Sequence, residues 1–146
     1  AVLGQESRQA QVYEASTASL VAGLLRGGNG LVLAYGPTGT GKTFSMFGGS
    51  NFWTDPFNAA NDASAGVIPR ALSEVFAHIR GAAGAARQFR VSLSFIQIYL
   101  DQVSDLLAGD NAPPLKIREG PKSGLFVQDA TRAFIASPAE GLLALK

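Results

Sequence analysis

Apolar residues recur at helical spacing in several parts of the chain. Residues 5–26 carry their apolar side chains mostly on one side, which predicts a helix. A second stripe follows Pro69, which suits the first position of a helix. Its members are Ala71, Leu72, Val75, Phe76 and Ile79. A last helix is expected to begin at Ser137, with Pro138 in its first turn and Glu140 three residues after the cap.

Continuous or alternating apolar runs predict the strands. Residues 31–35 form a short apolar run that is typical of a buried parallel strand. Residues 89–100 alternate apolar and polar positions and give the strongest strand signal, whereas residues 103–107 are predicted to be a short helix. Residues 115–136 hold short apolar runs around a glycine-rich turn and predict a hairpin. The whole pattern indicates an α/β fold.

Residues 48–66 are rich in Gly, Asn, Asp and Ser and lack any period, which predicts a surface insertion. Its rings Phe52, Trp53 and Phe57 are expected to pack the insertion onto the body, with a ligand or partner site as the alternative. His78 is the only histidine and has no companion at metal-ligand spacing, so it is interpreted as a surface or capping residue.

The most informative motif follows the apolar run 31–35. Residues 36–43 satisfy the pattern G-x-x-x-x-G-K-[ST] of a phosphate-binding loop. Its glycines permit tight turns, so that backbone N–H groups can form an anion nest at the start of the next helix. The residues of this loop are Gly36, Pro37, Thr38, Gly39, Thr40, Gly41, Lys42 and Thr43.

Two side chains of the loop carry specific chemistry. Lys42 offers a mobile positive charge to the β- and γ-phosphates, and Thr43 offers a hydroxyl to Mg²⁺. The apolar run before the loop and the glycine-free stretch after Lys42 favour this interpretation over a flexible glycine turn with an exposed lysine. The motif therefore predicts a protein that binds a nucleoside triphosphate.

Two carboxylates are candidates for further catalytic roles from the pattern alone. Asp101 follows an apolar strand end, as a Walker B carboxylate does. Asp105 begins a sequence that is one residue longer than the D-x-x-G of a γ-phosphate switch. The alternative for Asp105 is a solvated helix residue beside Leu106 and Leu107.

Composition narrows the class of protein. The chain has 146 residues, of which 47% are hydrophobic and 16% are charged, so it can bury a core of at most one domain. Its net charge of +1 implies no general attraction to nucleic acid or acidic membranes. The absence of cysteine excludes disulfides and cysteine-ligated metals. No apolar run approaches a membrane span, and the first residues do not resemble a signal peptide.

The order and spacing of several segments resemble the kinesin motor domain along almost the whole chain. These segments are Gln9 with Val12 and Tyr13, Gly28–Gly30, Ala34–Met46, Gly66–Arg70, Val91–Leu107, Leu115–Glu119, Gly124–Val127, and Ser137 with Glu140. The run 91–107 is similar to the segment usually written S-x-x-E-I-Y-N-E-x-V-x-D-L-L. On this resemblance Asp101 and Asp105 fall at structural positions, and no catalytic residue is assigned. Pro37 departs from the family, which often has Gln there, and removes one N–H donor.

The resemblance implies a P-loop NTPase-type fold in which a central mixed β-sheet is flanked by helices. It also implies ATP and Mg as cofactors, microtubules (tubulin) as partner through elements mostly outside residues 1–146, and a cytoplasmic, cytoskeletal location. Nucleic acid and membrane insertion are not expected. Phe44 stands where kinesins often place a ring against adenine, and a buried core ring is the alternative.

Three kinesin motifs find no match in the chain: R-x-R-P, N-x-x-S-S-R-S-H and D-L-A-G-x-E. We therefore expect residues 1–146 to cover less than half of a motor domain and to hydrolyse ATP negligibly alone, whereas the complete protein would be a microtubule-moving ATPase. One alternative is another P-loop NTPase or a nucleotide or metabolite kinase, although the arginines are scattered and form no lid. The other alternative is a non-catalytic nucleotide-binding fragment.

Overall fold

The computed structural model describes residues 2–49, 51–55, 62–82, 88–109, 111–121 and 124–146. Over these residues it holds six helices and six short strands, a mixed α/β composition. Residues 1–89, with 137–144 and 146, make up one unit, and residues 90–136, with 145, make up a second. None of the described helices has both the length and the apolar character needed to cross a membrane.

The first predicted helix is two helices in the structure. Helix α1 spans Gln9–Ser16 and α2 spans Ala18–Leu25, with a break at the buried Thr17. The hydroxyl of Ser16 donates to the Val12 carbonyl at 2.6 Å and lies 3.0 Å from the Thr17 hydroxyl. Such side-chain bonds to the preceding turn bend helices, and Thr17 has φ −124°, outside the helical range, so the prediction of one continuous helix over 5–26 was wrong.

Four further helices are described. They are α3 (Lys42–Phe47), α4 (Asn51–Thr54), α5 (Val67–Gly81) and α6 (Pro138–Ala144). Pro69 is the third residue of α5 and not the first, a position that is tolerated because first-turn N–H groups have no helical partner. The start of α6 is confirmed, since the Glu140 amide donates to Ser137 Oγ at 3.1 Å.

Helix α5 is central to the first unit and contacts α1, α2, α3 and α6. The phenol of Tyr13 on α1 donates to Glu74 Oε2 on α5 at 2.5 Å. Burial raises the pKa of Tyr13, and the neighbouring Glu74 carboxylate raises it further, so the phenol stays protonated. The buried Tyr13, Val21, Phe76 and Leu142 show that the apolar helix faces turn inward.

Residues 31–35 do not form the predicted strand. Leu31, Leu33 and Tyr35 are 83%, 78% and 94% exposed, while Val32 and Ala34 are half-buried. This alternation is that of an extended chain. A buried parallel strand needs hydrogen-bonded neighbours, and no strand of the described residues pairs with this segment.

Inside the second unit the strands form three antiparallel pairs. Strand β1 (Val91–Leu93) pairs with β6 (Ala133–Ile135), β2 (Ile96–Tyr99) with β3 (Gln102–Asp105), and β4 (Lys116–Gly120) with β5 (Gly124–Gln128). The predicted hairpin is confirmed by β4 and β5, whereas the end of the predicted region, β6, pairs with β1 instead. The predicted strand over 89–100 is divided into β1 and β2.

The predicted helix over 103–107 was wrong, because β3 occupies its first three residues. Leu100 and Asp101 have φ of 47° and 62° and make a two-residue reversal between β2 and β3. Positive φ at both positions matches the twist of a hairpin. After the reversal, Val103 and Asp105 both point inward, which is the period of a strand and not of a helix.

The ends of the predicted insertion 48–66 meet in a bridge between Gly48 and Ala65. Phe52 is 1% exposed, and its ring centroid lies 4.9 Å from that of Phe47 and 4.6 Å from that of Trp53. The expected packing is therefore confirmed for Phe52, whereas Trp53 contacts the rings of Phe52 and Phe47 but is 45% exposed. Phe57 lies outside the described residues. His78 is exposed, as expected, with its ring edge-on to Phe89.

Candidate phosphate-binding site

The phosphate loop 36–43 leads directly into α3, so the helix that the motif requires is present. Gly41 caps this helix with φ 87° and ψ 17°. Gly36 and Gly39 also have positive φ, 150° and 84°. The backbone of the loop therefore depends on glycine at the two positions that the motif fixes, 36 and 41, and also at 39, where the motif allows any residue.

The side chain of Lys42 bonds back to the first two residues of the loop. Its Nζ donates to the carbonyl of Gly36 at 2.8 Å and to that of Pro37 at 2.6 Å. The hydroxyl of Thr40 donates to the same Pro37 carbonyl at 2.8 Å. A Cβ at Gly36 would stand 2.9 Å from Thr40 Oγ1, so glycine there also leaves room for this side chain. The turn thus curls around the ammonium group.

A cavity of about 360 Å³ opens at the loop. It is lined by Thr38, Gly39, Gly41, Lys42 and Thr43, and no carboxylate is among these residues. Lys42 is the only charged side chain of the lining, which suits an anion. Thr43 is exposed and offers the hydroxyl that the motif assigns to Mg²⁺. Among the described residues, no cluster of His, Cys, Asp or Glu offers a competing metal site.

Phe44 is the third residue of α3 and is 54% exposed. In the described part of the chain Phe44 is therefore not a buried core ring. A ring that the core does not cover keeps a face free for stacking.

No local pattern in the sequence indicates a functional role for Gln9. Gln9 is 7% exposed, and its Nε2 donates to the Phe44 carbonyl at 2.7 Å. The contact joins residues that are far apart in the sequence, so periodicity could not find it. The only signal was the place of Gln9 in the kinesin-like segment with Val12 and Tyr13.

A larger cavity of about 520 Å³ adjoins the loop in the same unit. Residues 32–37 form part of its lining, together with residues of α1, α3 and α5 such as Val12, Met46 and Val67. The unpaired segment before the loop therefore borders open space.

The two candidate carboxylates lie in the second unit. Asp101 is exposed at the hairpin turn. Asp105 is 6% exposed and accepts hydrogen bonds from the amides of Thr131 and Leu107 at 2.7 and 2.9 Å. The bond from Thr131 above all holds the pKa of Asp105 below its ordinary value. The solvated-helix interpretation of Asp105 was wrong, and its bonds make it a structural residue.

A family model and individual relatives of this chain indicate the same family. A family model described as "Kinesin motor domain" matches residues 1–146. The chain is 36% identical over 129 residues to "Kinesin-like protein KIF3C" of Bos taurus, which covers 88% of this chain and 15% of that protein. It is 38% identical over 142 residues to "Kinesin-like protein KIF15" of Rattus norvegicus, covering 95% of this chain and 10% of that protein. The chain thus spans a small part of the curated relatives it matches.

Proposed function

Because this chain belongs to the kinesin motor domain family, we propose that in the complete protein residues 36–43 bind the phosphates of Mg-ATP, whose hydrolysis drives action on microtubules. The observation that carries the proposal is the turn around Lys42, which presents one ammonium group and a cavity free of carboxylates at the start of α3. Kinesins hydrolyse ATP, and the intact loop supports the same use here.

The backbone amides, Lys42 and Pro37 have distinct proposed roles in the loop. The backbone amides between Thr38 and Thr43 receive the phosphate oxygens at the positive end of α3. Lys42 exchanges its bonds to the Gly36 and Pro37 carbonyls for bonds to the β- and γ-phosphates. Pro37 contributes no N–H, so its part is to shape the turn through its carbonyl.

Two contacts complete the proposed nucleotide site. Thr43 would hold Mg²⁺ through its hydroxyl, and the metal supplies neutralisation of the charge on the phosphates. The half-exposed ring of Phe44 would stack on the adenine base. Both assignments rest on the position of these residues at the start of α3.

We also propose that residues 31–35 become a strand of a central mixed β-sheet in the complete domain. Their alternating exposure and the adjoining cavity of about 520 Å³ support this proposal, because a partner strand would cover Leu33 and Tyr35. The expected partner of the complete protein is the microtubule, and its expected place is the cytoskeleton. Both follow from the family.

The test of this function is a conservative pair at the proposed metal ligand. Thr43→Val removes the hydroxyl at nearly constant shape, and Thr43→Ser keeps it. Microtubule-stimulated ATP turnover of the full-length protein should fall about 100-fold or more with valine and stay within about 10-fold with serine. Equal turnover for both variants would exclude the hydroxyl as a metal ligand.

The isolated residues 1–146 are proposed to hydrolyse ATP negligibly. Nothing in them matches the family motifs that orient water and sense the γ-phosphate, and catalysis of phosphoryl transfer depends on such positioned groups. Turnover of ATP by this chain in the presence of microtubules is the corresponding measurement, and turnover close to that of the full-length protein would contradict this part of the proposal.

A further inference from the structure

Gln9 is a buried polar residue that the proposed phosphate contacts do not use. It is the first residue of α1, it is 7% exposed, and its Nε2 reaches the Phe44 carbonyl of α3 at 2.7 Å. A carbonyl only accepts hydrogen bonds, so this contact fixes which end of the amide faces Phe44. The Nε2 donor of Gln9 therefore faces Phe44, and Oε1 is the other end of the amide.

The other end of the amide is left without a partner. Gln9 Oε1 is buried and accepts no hydrogen bond from any described residue. A buried acceptor in this state destabilises the fold, and an apolar side chain of the same length would avoid the cost. Packing alone thus does not explain a glutamine at this position.

The Phe44 carbonyl does not need Gln9 for its own satisfaction. It also accepts the Gly48 amide at 2.8 Å, the helical bond that closes the end of α3. The Gln9 amide adds a second bond from outside the helix. Its effect is to fix the position of α3 at the residue whose side chain is the half-exposed ring.

Helix α1 is also held by a second contact, which does not involve Gln9. One turn after Gln9, the buried Tyr13 donates to Glu74 of α5. This second attachment keeps α1 in place without Gln9. A substitution at Gln9 can therefore change the position of α3 and leave the packing of α1 intact.

We propose that Gln9 is a positioning residue that sets the Phe44 ring for contact with the nucleotide base and so contributes to selection of ATP over a bare polyphosphate. The inference rests on the proposed stacking of Phe44 on the base. Gln9 touches neither base nor phosphate in this account, since it is buried and acts through the Phe44 backbone.

The experiment compares two ligands in the full-length protein. Dissociation constants for Mg-ATP and Mg-tripolyphosphate, which shares the phosphates and lacks the base, are measured by calorimetry. The variants are Gln9→Met, Phe44→Ala and their combination. Gln97→Met, at an exposed glutamine of β2, is the matched control.

Gln9→Met should weaken ATP about 3- to 10-fold, the range for one lost orienting hydrogen bond, and leave tripolyphosphate within about 2-fold. Its thermal midpoint should equal or exceed that of the wild type, because the unpartnered acceptor is gone. The combined variant should bind ATP no more weakly than Phe44→Ala, since both changes remove the same contact.

Four results would overturn the inference. An equal loss for both ligands would make Gln9 a general support of the loop, and a loss that adds to that of Phe44→Ala would separate Gln9 from the ring. Unchanged ATP affinity in Gln9→Met, with a selective loss in Phe44→Ala, would reject Gln9 and retain the stacking. If Phe44→Ala itself shows no selective loss, the stacking proposal and the role of Gln9 both fail.

Discussion

The carboxylate of Asp105 accepts a hydrogen bond from the amide of Thr131 at 2.7 Å and so joins the end of β3 to the segment before β6. A second bond, from the Leu107 amide at 2.9 Å, occupies the other carboxylate oxygen. Thr131 is held from its other side as well, since Ser94 Oγ donates to its carbonyl at 2.6 Å. Asp105 is thus a structural link of the second unit.

Asp105→Asn should weaken this link. The amide can accept from one of the two backbone N–H groups but turns an NH₂ group toward the other, at a cost of about 1–3 kcal/mol. Hydrogen exchange at Thr131 and Leu107 measures the change as a fall in the free energy of local opening. Asp101→Asn, at the exposed turn, is the control and should alter it by no more than about 0.5 kcal/mol. Equal effects of the two substitutions would show that the bonds to Asp105 carry no stability.

The stability of the same link should depend on pH. The pKa of Asp105 lies below its ordinary value of 3.8, so the folded state favours the charged carboxylate. The stabilisation is present in full above that ordinary value and is lost as the pH falls through the folded-state pKa. Protection of the Thr131 amide, corrected for intrinsic exchange, should decline below about pH 4 and the decline should vanish in Asp105→Asn. A persistent decline in the variant would assign it to other carboxylates.

A substitution in the turn between β2 and β3 should stabilise the hairpin. Leu100 is 77% exposed and has φ of 47°, a conformation that asparagine adopts with less strain. Leu100→Asn should raise the free energy of unfolding of the hairpin by about 0.5–1 kcal/mol. The control is Leu125→Asn, at a leucine that is 75% exposed within β5, where no gain is expected. A loss of stability in Leu100→Asn would mean that the Leu100 side chain makes contacts that outweigh the strain.

Alanine substitutions at two glycines of the first unit should change the free energy of unfolding in opposite directions. A Cβ at Gly66 would stand 2.7 Å from the backbone of Met46 and Gly48, at the closure of the insertion, so Gly66→Ala should cost about 1–3 kcal/mol. Gly23 lies inside α2 with open space around it, and Gly23→Ala should add about 0.5–1 kcal/mol. Thermal unfolding measures both. A neutral Gly66→Ala would show that the closure around Gly48 can open at little cost.

Short-range chemistry was the part of the fold that the sequence predicted well. The cap at Ser137, the glycine turn before Lys42 and the hairpin of β4 and β5 each depend on residues close together in the chain. The errors concern pairing over longer distances. Residues 31–35 lack a strand partner among the described residues, and β6 pairs with β1, about 40 positions earlier, a choice that no local pattern contains.

The residues of the candidate site likewise fall into two groups, those that a local motif predicts and those that depend on packing between distant segments. The motif gives the identity of Lys42 and Thr43, because its spacing is fixed by the phosphate chemistry. The contact between Gln9 and Phe44 depends on how α1 packs against α3, so it could be found only in the folded structure. The burial of Asp105 was missed for a related reason, since the reversal at Leu100 turned an expected helix into a strand.

The proposed function depends first on binding of the triphosphate by the turn around Lys42. The most direct measurement is the dissociation constant of Mg-ATP for the full-length protein with Lys42→Ala, beside Lys116→Ala, an exposed lysine of β4, as the control. Loss of the charged hydrogen bonds should raise the constant about 100-fold or more in Lys42→Ala, and Lys116→Ala should stay within about 2-fold. An unchanged constant in Lys42→Ala would contradict the phosphate site and the ATP-driven function proposed from it.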